Sequence, residues 1–149
     1  MPLLLELIRL FPRNYLYRLE LVQMYGDLAN KDEALAVLAR MDELKRQGAP
    51  GLKSLPSGKI QYARGNLLFW YRDYAGALEN LAKVTAAASE VDVNTAMNAW
   101  MRMGQACDVI RKRSHARAAY AEAVKGAPES DAGKESKRYL ESPYKRANP

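Results

Sequence analysis

Polar and apolar positions fall into three stretches that share one internal rhythm. In residues 103–128, MGQACDVIRKRSHARAAYAEAVKGAP, a small residue precedes a break, an alanine opens the next segment, and apolar residues return four and seven places later. Residues 64–88, RGNLLFWYRDYAGALENLAKVTAAA, lie over it with Gly65 on Gly104, Ala77 on Ala116, Leu81 on Tyr120 and Val84 on Ala123, each pair 39 residues apart. Residues 21–41, LVQMYGDLANKDEALAVLARM, align in turn: Val22, Ala34, Leu38 and Met41 stand 43 residues before Gly65, Ala77, Leu81 and Val84. Returns at four and seven mark one face of an α-helix. Each stretch therefore predicts two helices. The first carries a small residue where it crosses its neighbour, and the second begins at an alanine packed tightly on the first. The breaks carry helix-start chemistry, with Asn30 and Glu33 reading as a capping box and Asp73 and Ser114 as N-caps.

Between the stretches lie loops: GAPGLKSLPSG at 48–58, rich in Gly and Pro, and SEVDVNT at 89–95. After Pro128 the pattern gives one more short helix, about 130–141, stopped by Pro143. Its Ala132, Tyr139 and Leu140 can lie on the last unit while Lys134, Glu135 and Lys137 face water, as a terminal cap requires.

These units resemble the tetratricopeptide repeat, a helix-turn-helix of about 34 residues. In the third unit Trp100, Met103, Gly104, Ala116, Tyr120, Ala123 and Pro128 stand at the family's signature spacings. The second carries Gly65, Leu68, Asp73, Tyr74, Ala77 and Leu81, but has Gln61 and Arg64 where larger apolar residues are usual. The first has Leu21, Tyr25, Ala34 and Leu38, with Val22 in place of glycine. LLLELIRLFP resembles the second helix of a preceding half-unit, Pro12 matching the repeat-ending Pro128. The resemblance implies an all-α fold, an α-α superhelix or solenoid of antiparallel helix pairs. Its parts would be a half-repeat 1–14, repeats 15–48, 58–91 and 97–130, the capping helix and a tail 142–149. A chain that starts in mid-repeat is expected to be a piece of a larger protein.

In such repeats the first helix of each unit lines the concave face. On the second unit's first helix, about Ser57 to Tyr71, that places Leu67, Leu68 and Tyr71 on the packed side and Lys59, Tyr62, Asn66, Phe69 and Trp70 toward the concavity. Tyr71 and Tyr74 read as core; Phe69 fits either groove or core; Trp70 is the better candidate for contact with a ligand. The third unit, about Asn94 to Ile110, offers Asn98, Met101, Arg102, Gln105, Asp108 and Val109 to the same surface. The first adds Leu16, Leu19, Gln23 and Asp27. An apolar and aromatic floor with scattered amides and charges suits an extended peptide or a helix, because aromatic anchors supply affinity and amides pair with backbone. The co-chaperone clamp of the family, which holds acidic C-termini, is half absent. Asn66 and Arg102 stand at clamp-like places, but Leu19 and Gln23 replace its lysine and asparagine.

Composition changes this picture little. The charge of +6 is spread thinly, with one dense cluster, RKRSHAR at 111–117, which reads as a solvated turn. No continuous basic stripe emerges, so nucleic acid is not the expected partner. Cys107 and His115 are each single in the sequence. No multi-cysteine metal site, glycine-rich phosphate loop or nucleophile elbow is present, so no enzyme activity, cofactor or metal is expected. No run approaches the roughly 18–20 apolar residues of a membrane span. MPLLLELIRLF makes a poor signal peptide, which favours a cytoplasmic setting and leaves a periplasmic or membrane-tethered parent open. The same segment is apolar almost all round, so Leu3, Leu4, Leu7 or Ile8 need cover. A homodimer through this helix is the simplest source, because both copies offer one patch.

Overall fold

A computed structural model describes residues 2–146. Among these the chain is all-helical: α1 (Pro2–Leu10), α2 (Tyr15–Asp27), α3 (Lys31–Arg46), α4 (Ser57–Trp70), α5 (Tyr74–Ala86), α6 (Val93–Val109), α7 (Arg113–Gly126) and α8 (Asp131–Glu141), with a 3₁₀ turn at Ala88–Glu90 between α5 and α6. Helices pack in consecutive pairs, α2 with α3, α4 with α5 and α6 with α7, and each pair leans on the next. This is an all-α helical repeat arrangement. No helix of the described residues is long and apolar enough to cross a membrane.

The pairs turn by one local device. Ala29, Arg72 and Arg111 have φ of 61°, 65° and 62°, at the same 43- and 39-residue offsets that align the sequence. Each sits just past the end of α2, α4 or α6, and the next residue's N–H reaches back five positions to the helix: Asn30 to Tyr25 O, Asp73 to Leu68 O, Lys112 to Cys107 O. That bond closes a Schellman motif, normally built on glycine because only glycine adopts positive φ without strain. The three non-glycine residues are held there by the packing of the helices on either side.

Tight crossings hold each pair together. Ala34, Ala77 and Ala116 are fully buried, as are Leu38, Met41, Leu81, Val84, Tyr120 and Ala123. Gly104 lies against the Tyr120 ring and Gly65 against Leu81, so close that a Cβ at either place would collide. Asp73 caps α5 by accepting from Gly76 N at 2.9 Å, as expected. The other two caps differ. Asn30 precedes α3 but makes no side-chain cap bond, and Ser114 lies inside α7, whose N-cap is Lys112. The positive-φ residue just before each start has already turned the chain into the helix, with Ala34 N bonded to Asn30 O and Ala116 N to Lys112 O.

The two ends contrast. α8 packs on both α6 and α7 through Ala132, Gly133 and Ser136, all buried. Lys134 and Lys137 face water, while Tyr139 and Leu140 are half-buried against the last pair. At the other end α1 meets only α2 to any extent and buries Leu4 alone. Of the four residues expected to need cover, Leu4 is buried and Leu7 and Ile8 are half-buried, so only Leu3 is exposed, joined by Leu5, Leu10 and Phe11.

Candidate functional site

Between α2 and α4 lies a cleft of about 330 Å³. From α4 it is lined by Lys59, Tyr62, Asn66 and Trp70, one residue per turn along a single stripe. Leu19, Gln23 and Asp27 of α2 form the opposite wall, Val22 and Leu67 the floor, and Thr95 of α6 one end. The two helices are joined at the other end, where the Tyr71 hydroxyl donates to Gly26 O at 2.8 Å. Tyr71, read from the sequence as core, is half-buried: it packs against the core formed by α2, α3 and α4 and also lines the cleft.

The polar groups in this wall are unequal. Lys59 Nζ is committed to Asp92 at 2.6 Å and to Thr95 Oγ1 at 2.9 Å, pinning α4 to the start of α6. That lysine, with Thr95, holds the Asp92 carboxyl well below its ordinary range. Burial pushes the Tyr62 phenol up, against the pull of nearby Arg102 and Lys59. Gln23 donates across one turn to Asp27 at 2.9 Å. Asn66 Oδ1, in contrast, is buried without a hydrogen-bond partner. An unpaired buried acceptor costs about 1–3 kcal/mol. Trp70 is half-exposed at the rim.

Arg102 of α6 adjoins this stripe. Its guanidinium carbon lies 4.8 Å from the centre of the Phe69 ring and 5.1 Å from that of Trp70, and its NH1 donates to Gln105 Oε1 at 2.6 Å. Tyr62 and Arg102 therefore share one surface. Four expected groove residues do not belong to an open groove. Phe69 is fully buried, turned between α5 and α6 where Ala99 and Ala106 leave room for a large ring. Met101 is buried in the α6–α7–α8 core with Met97, Cys107 and Ala132. Gln105 is buried beneath α8, bonded to Arg102 and to Tyr139. Asn98 is half-buried and turns its amide back to Asn94 O at 2.8 Å, outside the cleft. α8 and the segment after it cover the α6 end of the surface, and the open part lies between α2 and α4.

That segment was not legible as a site element. Tyr144 N donates to Asp108 Oδ2 at 3.0 Å, and its ring packs on Phe69 and on Tyr139. Arg146 donates to Phe69 O and Trp70 O, both at 2.6 Å, and to the Tyr74 hydroxyl at 3.0 Å. Asp108, expected on the concave surface, is instead a buried carboxylate that also accepts from Arg113 and from the Tyr120 hydroxyl at 2.8 Å. Burial and the Asp108 bond together drive the Tyr120 phenol far above its ordinary value. Cys107 is buried, and burial raises its thiol. His115 is exposed near the start of α7, and no cluster of three metal-ligating side chains exists among the described residues. No protein-family model, curated protein or solved structure matches the chain.

Proposed function

We propose that the chain is a tetratricopeptide-like array acting as a non-catalytic protein-interaction scaffold, and that it holds an extended peptide of a protein partner in the cleft between α2 and α4. The observation that carries this reading is the convergence of Lys59, Tyr62, Asn66 and Trp70 with Leu19, Gln23 and Asp27 around one opening. Hydrogen bonding favours an extended segment over a helix, whose backbone donors are mostly spent within the helix itself. An extended chain brings spare backbone N–H donors, and Asn66 brings a spare acceptor. Trp70 at the rim supplies an aromatic anchor of the kind that dominates interface energetics. Lys59 is engaged with Asp92, and Arg102 with Gln105 and two rings although its Nε–H has no partner, so the cleft offers no row of free cations for a phosphate track.

Selection of a displayed random-peptide library against the chain, followed by NMR mapping of an enriched peptide, tests this. Shifts should cluster on α2 and α4, and Asn66→Ala or Trp70→Ala should weaken binding at least tenfold. Peptides that map elsewhere, or that bind both variants unchanged, refute it.

A second reading, self-association through α1, rests on the exposure of Leu3 and Leu10, seven residues apart on one side of a short helix, with Phe11 just beyond it. Each copy would offer the other the same apolar strip, which suits a two-fold contact.

A further inference from the structure

The segment 143–146 carries no helix, yet three independent anchors hold it. Ser142 ends α8 in extended backbone, φ −140° and ψ 124°, and Pro143 prevents the helix from resuming. Tyr144 then offers its backbone N–H to Asp108 at 3.0 Å and its ring to Tyr139 and Phe69, with centroids 5.4 and 6.2 Å away. Lys145 is exposed. Arg146 caps the end of α4 through the carbonyls of Phe69 and Trp70, while its guanidinium stacks 5.1 and 5.0 Å from their rings. One backbone contact, one aromatic contact and one forked cation in alternate positions is how a bound extended peptide is read.

The surface beneath is built without the segment. Asp108 is already held by Arg113 and Tyr120, and Phe69 by Trp70, Tyr74 and Arg102. Each part has a stated chemical preference. The Trp70 carbonyl, and the Phe69 carbonyl that also accepts from Arg72 N at 3.0 Å, lie at the negative pole of the α4 dipole and keep lone pairs for a further donor, so they favour a cation. Two carbonyls together with two aromatic faces select the planar fork of arginine over the point charge of lysine. The buried carboxylate accepts a main-chain N–H whatever the side chain.

We infer that Asp108, Tyr139 and the Phe69–Trp70 end of α4 form a second recognition site, for a partner's extended segment carrying an aromatic residue two places before an arginine, and that residues 144–146 occupy it in cis. It lies beyond the α2–α4 cleft and shares only Trp70 with it, so either site can fail without the other.

The test uses the full chain carrying Tyr144→Ser and Arg146→Ser, titrated with a fluorescein-labelled, capped peptide Ser-Pro-Tyr-Lys-Arg and followed by anisotropy. The wild-type segment competes at an effective concentration of order mM. The variant should therefore bind at least tenfold tighter than wild type, and replacing the peptide's arginine by lysine should lose at least tenfold. A folded variant that does not bind, or that binds the arginine and lysine peptides alike, overturns the inference. If the double variant loses its helical signal, Arg146→Lys in the full chain decides. That change keeps the charge but not the fork, so it should admit the peptide, and exclusion equal to wild type counts against the site. Sedimentation of the wild-type chain is the last arm. A dimer that Arg146→Ser abolishes would make the occupant a second copy's own segment and overturn the partner reading.

Discussion

Gly104→Ala adds one methyl group at a crowded helix crossing. A Cβ there would meet Tyr120 Cε1 at 2.4 Å, Cδ1 at 2.5 Å and Cζ at 2.8 Å, against an ordinary contact of 3.4–4 Å. The ring must retreat by about 1 Å. It has nowhere to go, being fully buried, and its hydroxyl is tied to the Asp108 carboxylate at 2.8 Å. Overpacking costs about 1–3 kcal/mol, and loosening a hydrogen bond to a charged acceptor about 1.5–3 kcal/mol more. Alanine returns about 1 kcal/mol of helix propensity. The net loss should be about 1.5–5 kcal/mol, read as a lower urea midpoint by far-UV circular dichroism with an unchanged slope. The same substitution in a Tyr120→Leu background, where the clashing ring is gone, should be neutral or stabilising by up to about 1 kcal/mol. A Gly104→Ala chain as stable as wild type, or an equal loss in both backgrounds, would refute the assignment of the cost to this crossing.

Three further outcomes are expected. Ala29→Gly and Arg111→Gly, which relieve positive-φ strain at exposed turns, should each raise the unfolding midpoint by the equivalent of about 0.5–1 kcal/mol; lower midpoints would show that the side chains outweigh the strain. Tyr62, Tyr120 and Tyr139 all have raised phenol pKa values in the fold, mainly from burial, so the unfolded chain releases these protons first as pH rises. Their contribution is complete below pH 10.0, the ordinary tyrosine value, and declines above it; urea midpoints that do not fall from there to pH 11 would contradict this. Leu3→Lys and Leu10→Lys should shift any self-association of the chain toward monomer in sedimentation over a wide concentration range while helical content is kept; a wild-type chain that is monomeric throughout removes the second reading.

What was legible in the sequence was what repeats. Ala34, Ala77 and Ala116 were found because three small residues recur at offsets that also bring large apolar residues into line, and all three are fully buried. The α4 stripe of Lys59, Tyr62, Asn66 and Trp70 was legible for the same reason, since one residue per turn fixes a direction once the helix is placed. Phe69 was not, because it stands one residue from Trp70 at the edge of that stripe. The space left by Ala99 and Ala106 on another helix decides its side. Met101 and Gln105 were misplaced because α8 covers α6, and the docking of a helix beyond the last pair leaves no mark in the periodicity of α6. Tyr144 and Arg146 belong to no repeat. Their positions follow from a buried carboxylate and a helix end that only the assembled fold brings near.

The reach of Arg146 has a mechanical consequence. Helix contacts elsewhere run mainly between neighbours, as in a coil spring that can flex at every joint. Arg146 instead grips residues 77 and 76 positions earlier in the chain, at the end of α4. It acts as a brace, closing α4 through α8 into a loop. α1 through α3 stay outside that loop, joined to it by residues 47–56 and by a lighter helix contact than those inside it. The α2–α4 cleft spans the joint, which is itself held by the Tyr71–Gly26 bond, the Arg64–Asp42 ion pair and the apolar core shared by α2, α3 and α4. Releasing Arg146 would slacken the stiff side of that joint, and an event at the far end of the array would then be felt as a change in the aperture of the cleft.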